Sequence, residues 1–114
     1  DMLDTVESDH RIDENLCLVP SAGHSPGHVC VMIESGGERA LITGDSFHSP
    51  AQFAHPEVSA TYADTDSAAA TATRLRLLEQ LVDADTMVLG THFSRPTAGR
   101  VRSGPEGAWF DTTI

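Results

Sequence analysis

Apolar positions in this chain fall into short bursts separated by polar or glycine-rich turns. Leu16-Cys17-Leu18-Val19 is the first, followed by Val29-Cys30-Val31-Met32-Ile33, Ala40-Leu41-Ile42-Thr43 and Met87-Val88-Leu89. Runs of this length, rich in Val, Ile and Leu and bounded by Gly, Pro, Ser or Asp, predict buried β-strands. Pro20 stops the first run, Ser35-Gly36-Gly37-Glu38 turns the chain after the second, and Gly44-Asp45 ends the third. Two further short strands are expected around Arg100-Val101-Arg102 and Ala108-Trp109-Phe110, as a hairpin over Gly104-Pro105-Glu106-Gly107.

From about Asp66 to Val82 the pattern changes. Alanines fill the first half, and Leu75, Leu78 and Val82 extend an apolar stripe at helical spacing, with Asp64 or Thr65 as the expected cap. Between Ser46 and Ala63 lie Pro50, Pro56, Phe47, Phe53 and Tyr62, which predicts a packed or functional loop whose helical turns are short. The polar opening, Asp1 to Asn15, is weakly periodic, and Asp9-His10-Arg11 reads as a turn between two short strands. Strands with one clear helix and no internal repeat predict a single α/β domain over 1–114.

Charge narrows the partners. Seventeen acidic side chains stand against seven basic ones, a formal charge of −10. Phosphate backbones require Lys and Arg, so nucleic acid is not an expected partner, and an anionic membrane surface would repel the chain. No apolar run approaches the length of a membrane span. Cys17 and Cys30 each sit inside a strand-like run and are expected as buried free thiols, which fits a reducing, cytoplasmic compartment.

One arrangement occurs three times. A short strand ends, a glycine follows, and a potential metal ligand comes next: Gly23-His24, Gly44-Asp45 and Gly90-Thr91-His92. Ligand sites in open sheets lie beyond the carboxyl ends of strands. If these strands share a sheet and a direction, His24, Asp45 and His92 reach one edge together. Two imidazoles and a carboxylate suit Zn²⁺, and also Mn²⁺, Fe²⁺ or Co²⁺. Each dipeptide alone is an ordinary turn, and a lone histidine is more often structural than ligating. The His24/His28 spacing resembles a helical zinc motif, but Pro26, Gly23 and Gly27 oppose a helix, and Ser25 stands where a catalytic Glu would be. One of the two histidines is therefore assigned to metal and the other to its support.

Gly23-His24-Ser25-Pro26-Gly27-His28, then Thr43-Gly44-Asp45, then Gly90-Thr91-His92-Phe93 resembles the ordered C-terminal motif set of the metallo-β-lactamase superfamily. Gly44-Asp45-Ser46-Phe47-His48, Gln52-Phe53-Ala54-His55-Pro56-Glu57-Val58 and Thr73-Arg74 are similar to the branch with methyl parathion hydrolase and, more distantly, the acyl-homoserine lactonases. The resemblance covers about Leu16 to Phe110. It implies an αββα sandwich of which this chain is the C-terminal βα half. It further implies two divalent metals, zinc by preference, with His24 on the first, His92 on the second and Asp45 bridging both as the catalytic group. His28 matches a position that is usually not a ligand and would support the site. The implied reaction is hydrolysis of a small-molecule ester, lactone or phosphotriester by a hydroxide held between the metals. Phe47, Phe53 and Phe93 are candidates for an apolar substrate pocket, with core packing as the rival reading.

The departures carry equal weight. The family's N-terminal H-x-H-x-D-H motif is missing, and His10, His48 and His55 are scattered and do not rebuild it. Three protein ligands leave two metals under-coordinated. The expectation is a truncated, inactive portion of a hydrolase, with the sheet face meant for its missing half or for a homodimer partner left open. The alternatives are a hydroxyacylglutathione-type thioester hydrolase and a non-catalytic half-domain that binds a partner or dimerises.

Overall fold

The structure is a computed structural model and describes residues 2–59 and 62–113. Its strands are β1 (Leu16–Pro20), β2 (Val29–Ser35), β3 (Glu38–Ile42), β4 (Met87–Leu89), β5 (Ala98–Arg102) and β6 (Trp109–Asp111). Two helices, α1 (Ala51–Ala54) and α2 (Ser67–Leu81), lie between β3 and β4. All six strands form one sheet in the order β1-β2-β3-β4-β5-β6.

Direction follows from pairing. The β1/β2 and β2/β3 pairs are antiparallel and β3/β4 is parallel, so β1, β3 and β4 all run the same way. That is the condition under which the three ligand-bearing ends meet at one edge. The expected hairpin forms between β5 and β6, with Val101 opposite Phe110.

Alternation along the strands separates two faces. Met32, Leu41 and Val88 pair across β2, β3 and β4 and point to the side of α2, where Leu77, Leu78 and Leu81 complete the core with Cys30 and Val101. The opposite face carries the row Leu18, Val31, Ile42, Leu89 and the row Leu16, Ile33, Ala40, Met87. All eight of these residues are only half-buried. One helix layer on one sheet face is thus the observed architecture, a partial form of the expected four-layer sandwich.

Two local expectations change. Asp66 caps α2, rather than Asp64 or Thr65: its backbone is extended and its side chain accepts the Ala69 N–H at 3.0 Å. Among residues 2–15 no strand forms; the turn is closed by His10 N–H to the Glu7 carbonyl, and Arg11 makes a lone bridge to Cys17. The opening is too polar to bury a strand face, so its backbone leans on β1 instead, with Ile12 N–H on the Leu16 carbonyl. The 46–63 loop does hold one short helix, α1, while its residues Ala60 and Thr61 lie outside the described part. Among the described residues no helix is long and apolar enough to cross a membrane.

Candidate metal centre

The loop after β1 delivers His24. Gly23 has φ +144°, and a Cβ there would come within 2.4 Å of the Ala70 backbone, so the loop can lie this close to α2 only with glycine. Backbone bonds from Thr65 N–H to the His24 carbonyl and from Asp66 N–H to the Gly23 carbonyl, both 3.0 Å, clamp it to the start of that helix.

Asp45 follows β3 through Gly44, at φ +54°, where a Cβ would meet His28 Nε2 at 2.7 Å. That histidine lies directly behind the carboxylate-bearing turn. The Asp45 backbone N–H donates to His28 Nε2 at 2.9 Å. Since an amide can only donate, Nε2 is the accepting nitrogen and Nδ1 carries the proton, facing the Ser21 hydroxyl at 2.7 Å and carbonyl at 3.2 Å. Burial is the largest influence on His28 and holds its pKa below the ordinary value, keeping the ring neutral. With its Nε2 lone pair facing the Asp45 N–H, His28 holds the turn that carries Asp45.

The Asp45 carboxylate divides between two histidines. Its Oδ1 lies 2.5 Å from His92 Nε2, and its Oδ2 lies 3.4 Å from His24 Nε2. The hydrogen bond with His92 is the main reason its pKa is lowered, so the group is an anion. Asp45 and His92 remain open to solvent, with side chains 39% and 44% exposed.

Two residues complete the site that the sequence pattern did not assign to it. Asp64 is one, its side chain 1% exposed, with Oδ1 3.2 Å from His24 Nδ1 and Oδ2 3.4 Å from Arg74. Burial alone would raise its pKa, but hydrogen bonds with Ser59 and His24 and the charge of Arg74 outweigh it and the net shift is downward. An ionised Asp64 only accepts, so it fixes the His24 proton on Nδ1 and leaves the Nε2 lone pair facing Asp45. The second is His48. Its ring stacks on His92 at 4.7 Å and 24° and lies 5.2 Å from the His24 ring. Donor atoms of His24, Asp45 and His48 all fall within 4.8 Å of one another. His10 and His55 are exposed on the surface, the latter paired with Glu57.

The structure thus brings together every residue expected to ligate, and adds His48 to them. Their chemistry fits a divalent cation: the His24 lone pair and the Asp45 carboxylate are two acceptors facing each other, and a histidine whose other nitrogen is held by a carboxylate is the usual form of a metal-bound one. Phe47, Phe53 and Phe93 lie elsewhere. All three are buried and packed ring to ring, Phe47–Phe53 at 4.9 Å and Phe53–Phe93 at 5.7 Å, with Phe110 against the last two. Such rings are core, not an open pocket wall. A concavity lined by Ile33, Ala40, Met87 and Arg100 lies at the other end of the sheet and touches none of the ligand candidates.

Comparison with known proteins gives the following. A family model described as the metallo-beta-lactamase superfamily matches residues 3–92. The solved structure of AidC, a dizinc quorum-quenching lactonase in complex with a homoserine product, is 27% identical with a TM-score of 0.82, covering 96% of this chain and 37% of that one. The hydrolase AbOPH of the beta lactamase superfamily is 27% identical with a TM-score of 0.78, covering 90% and 36%. An N-acyl homoserine lactone hydrolase with product bound at its catalytic metal centre is 30% identical with a TM-score of 0.56, covering 66% and 29%. The chain therefore spans well under half the length of these solved relatives. No curated protein sequence matches it.

Proposed function

Since the chain belongs to the metallo-β-lactamase superfamily, we propose that it carries the C-terminal metal ligands of a hydrolase acting on a small-molecule ester, lactone or phosphotriester. The observation that carries this reading is the Asp45 carboxylate, whose two oxygens face two different histidines, His92 and His24. That is the disposition of a bridging ligand. His24 and Asp45 would hold one divalent cation, Asp45 and His92 the other, and zinc suits the donor set. Bound there, the cations would supply Lewis acidity and an activated water for acyl or phosphoryl hydrolysis.

The chain's own residues set up that chemistry. Asp64 keeps the His24 proton away from the ligating nitrogen, and His28 anchors the turn that aims Asp45. The half-exposed Asp45 and His92 leave the site accessible to a substrate. A lactone is the favoured class because AidC, at 27% identity over 96% of this chain, is a lactonase. These 114 residues alone offer too few ligands for a dinuclear centre, so we expect no turnover from them in isolation. The net charge of −10 and the free thiols fit a cytoplasmic protein with neither nucleic acid nor an anionic membrane as partner.

The test is a panel of an acyl-homoserine lactone, an aryl ester, a phosphotriester and an acyl-glutathione thioester, with zinc added. It is run on the 114-residue chain and on the full reading frame that encodes it. Lactone turnover by the full frame, abolished by Asp45→Ala, is the expected result. Preferential cleavage of the thioester, or turnover that survives Asp45→Ala, would overturn the reading.

A further inference from the structure

Cys17, Met32 and Leu41 pair across β1, β2 and β3 and so share the α2 side of the sheet. Leu77 and Leu81 of α2, one helical turn apart, pack into the core with Leu41, Val88 and Val101. Towards the β1 edge the helix no longer covers the strands, and Cys17, Val19 and Met32 stay half-buried. Between these strand residues and Leu77 and Leu81 lies a cleft of about 450 Å³. Small-molecule sites typically enclose roughly 300–1,000 Å³. The cleft opens at the end of the sheet away from the metal-ligand candidates and shares no residue with them.

Its polar groups are few. Thr86 lines it, on the same strand face as Val88, and is only 6% exposed. Among the described residues its hydroxyl makes no hydrogen bond, and its oxygen is not sealed from the surface. Polar groups in residues buried this deeply normally have a partner, so a free hydroxyl on the cleft wall marks where a ligand's polar atom belongs. At the mouth Glu34 and Arg39 pair at 3.8 Å and cancel one another's charge, and Gln80 adds an amide. An apolar wall with a neutral mouth and one free hydroxyl complements an uncharged amphipath. A charged head would lose hydration there with no opposite charge free to receive it.

We propose that this cleft is a second binding site, for a small uncharged molecule with a medium-length aliphatic chain and a carbonyl group. The chain lies against Met32, Leu41, Leu77 and Leu81, and the carbonyl accepts from the Thr86 hydroxyl. The site is separate from the metal centre, so it stands or falls apart from the hydrolase reading.

Octanamide is the probe, and Cys17 in the cleft wall reports its binding. The protein expressed from the full reading frame is alkylated with iodoacetamide, and peptide mass spectrometry follows Cys17 and Cys30 separately. Cys30 is fully buried, so its alkylation would signal unfolding. Octanamide is expected to slow Cys17 alkylation saturably, by about fivefold once it stands at about four times its Kd. Acetamide, which lacks the chain, and octanoate, which carries a charge, should not protect. Thr86→Val keeps the side-chain shape but removes the donor, and should weaken octanamide binding by about three- to tenfold. Met32→Glu puts a charge into the apolar wall and should abolish binding, with circular dichroism checking that the variant is folded. Calorimetric titration with octanamide reads the same site without the thiol, as a binding heat present in the parent and lost in Met32→Glu. Unslowed Cys17 alkylation with no such heat, equal protection by octanoate, or parent-like binding by Thr86→Val would overturn the inference.

Discussion

The enclosed guanidinium of Arg74 lies 3.4 Å from the Asp64 carboxylate, and neither side chain is more than 1% exposed. Arg74 also donates from Nε to the Pro56 carbonyl at 2.7 Å and from Nη1 to the Ser46 carbonyl at 3.4 Å. One helix side chain thereby ties the loop after β3 to the carboxylate that orients His24. Removing one member of a buried pair strands the other charge, at a cost of about 3–5 kcal/mol. Arg74→Ala is therefore expected to lower the unfolding free energy by that amount in urea titration. A loss below about 1 kcal/mol would show that the pair does not anchor the loops.

His28 gives a second prediction. Its Nε2 is the acceptor for the Asp45 N–H, so His28→Leu leaves a half-buried amide unpaired, at about 1–3 kcal/mol. Divalent-metal affinity, measured by dialysis, should fall about 10–100-fold because the turn that aims Asp45 loses its anchor. His28→Gln, which retains an acceptor, should recover part of both. Equal affinities for Leu and the parent would remove His28 from any positioning role.

The loop glycines differ in what they tolerate. Gly23→Ala meets both a left-handed φ of +144° and the Ala70 backbone at 2.4 Å, so a destabilisation of about 1–3 kcal/mol is expected. At Gly27 a Cβ would find nothing within 4 Å. Gly27→Ala should stay within about 0.5 kcal/mol of the parent. Thermal melts of the two variants side by side decide the matter, and similar losses for both would contradict the close approach of loop and helix.

Acid sensitivity is expected at the turn after α2. The Asp83 carboxylate accepts from the Ser103 hydroxyl at 2.6 Å and its N–H at 3.0 Å, and these bonds hold its pKa below the ordinary 3.8. A depressed folded-state pKa means the unfolded chain binds the proton more readily, so the contribution is fully present above the ordinary value. It is lost as pH falls through the folded-state value. Asp83→Asn tolerates the same left-handed backbone, φ 57°. The stability gap between parent and variant should be widest near about pH 5 and close towards about pH 3. A gap independent of pH would refute the assignment.

Much of this was legible from residue order. Short apolar bursts located the strands, and the repeated strand–glycine–ligand pattern pointed at His24, Asp45 and His92 before any direction was known. What stayed hidden depends on contacts between distant segments. Asp64 reads as a helix cap because it stands just before α2, yet Asp66 takes that role and Asp64 turns inward, 40 positions from its partner His24. His48 lies in a loop with no periodicity to mark it. The phenylalanines sit beside the ligands in sequence but alternate away from them in space, into the core under α1 and β6.

The candidate ligands arrive on the connections following β1, β3 and β4, strands that align only once β2 and the long crossover have docked. No contiguous segment carries the site. Fraying of any one strand pulls a donor away from the rest, so the cluster exists only in molecules whose entire sheet is assembled. Cation uptake would then act as a global order parameter, and added metal would draw the folding equilibrium by mass action toward the fully assembled sheet.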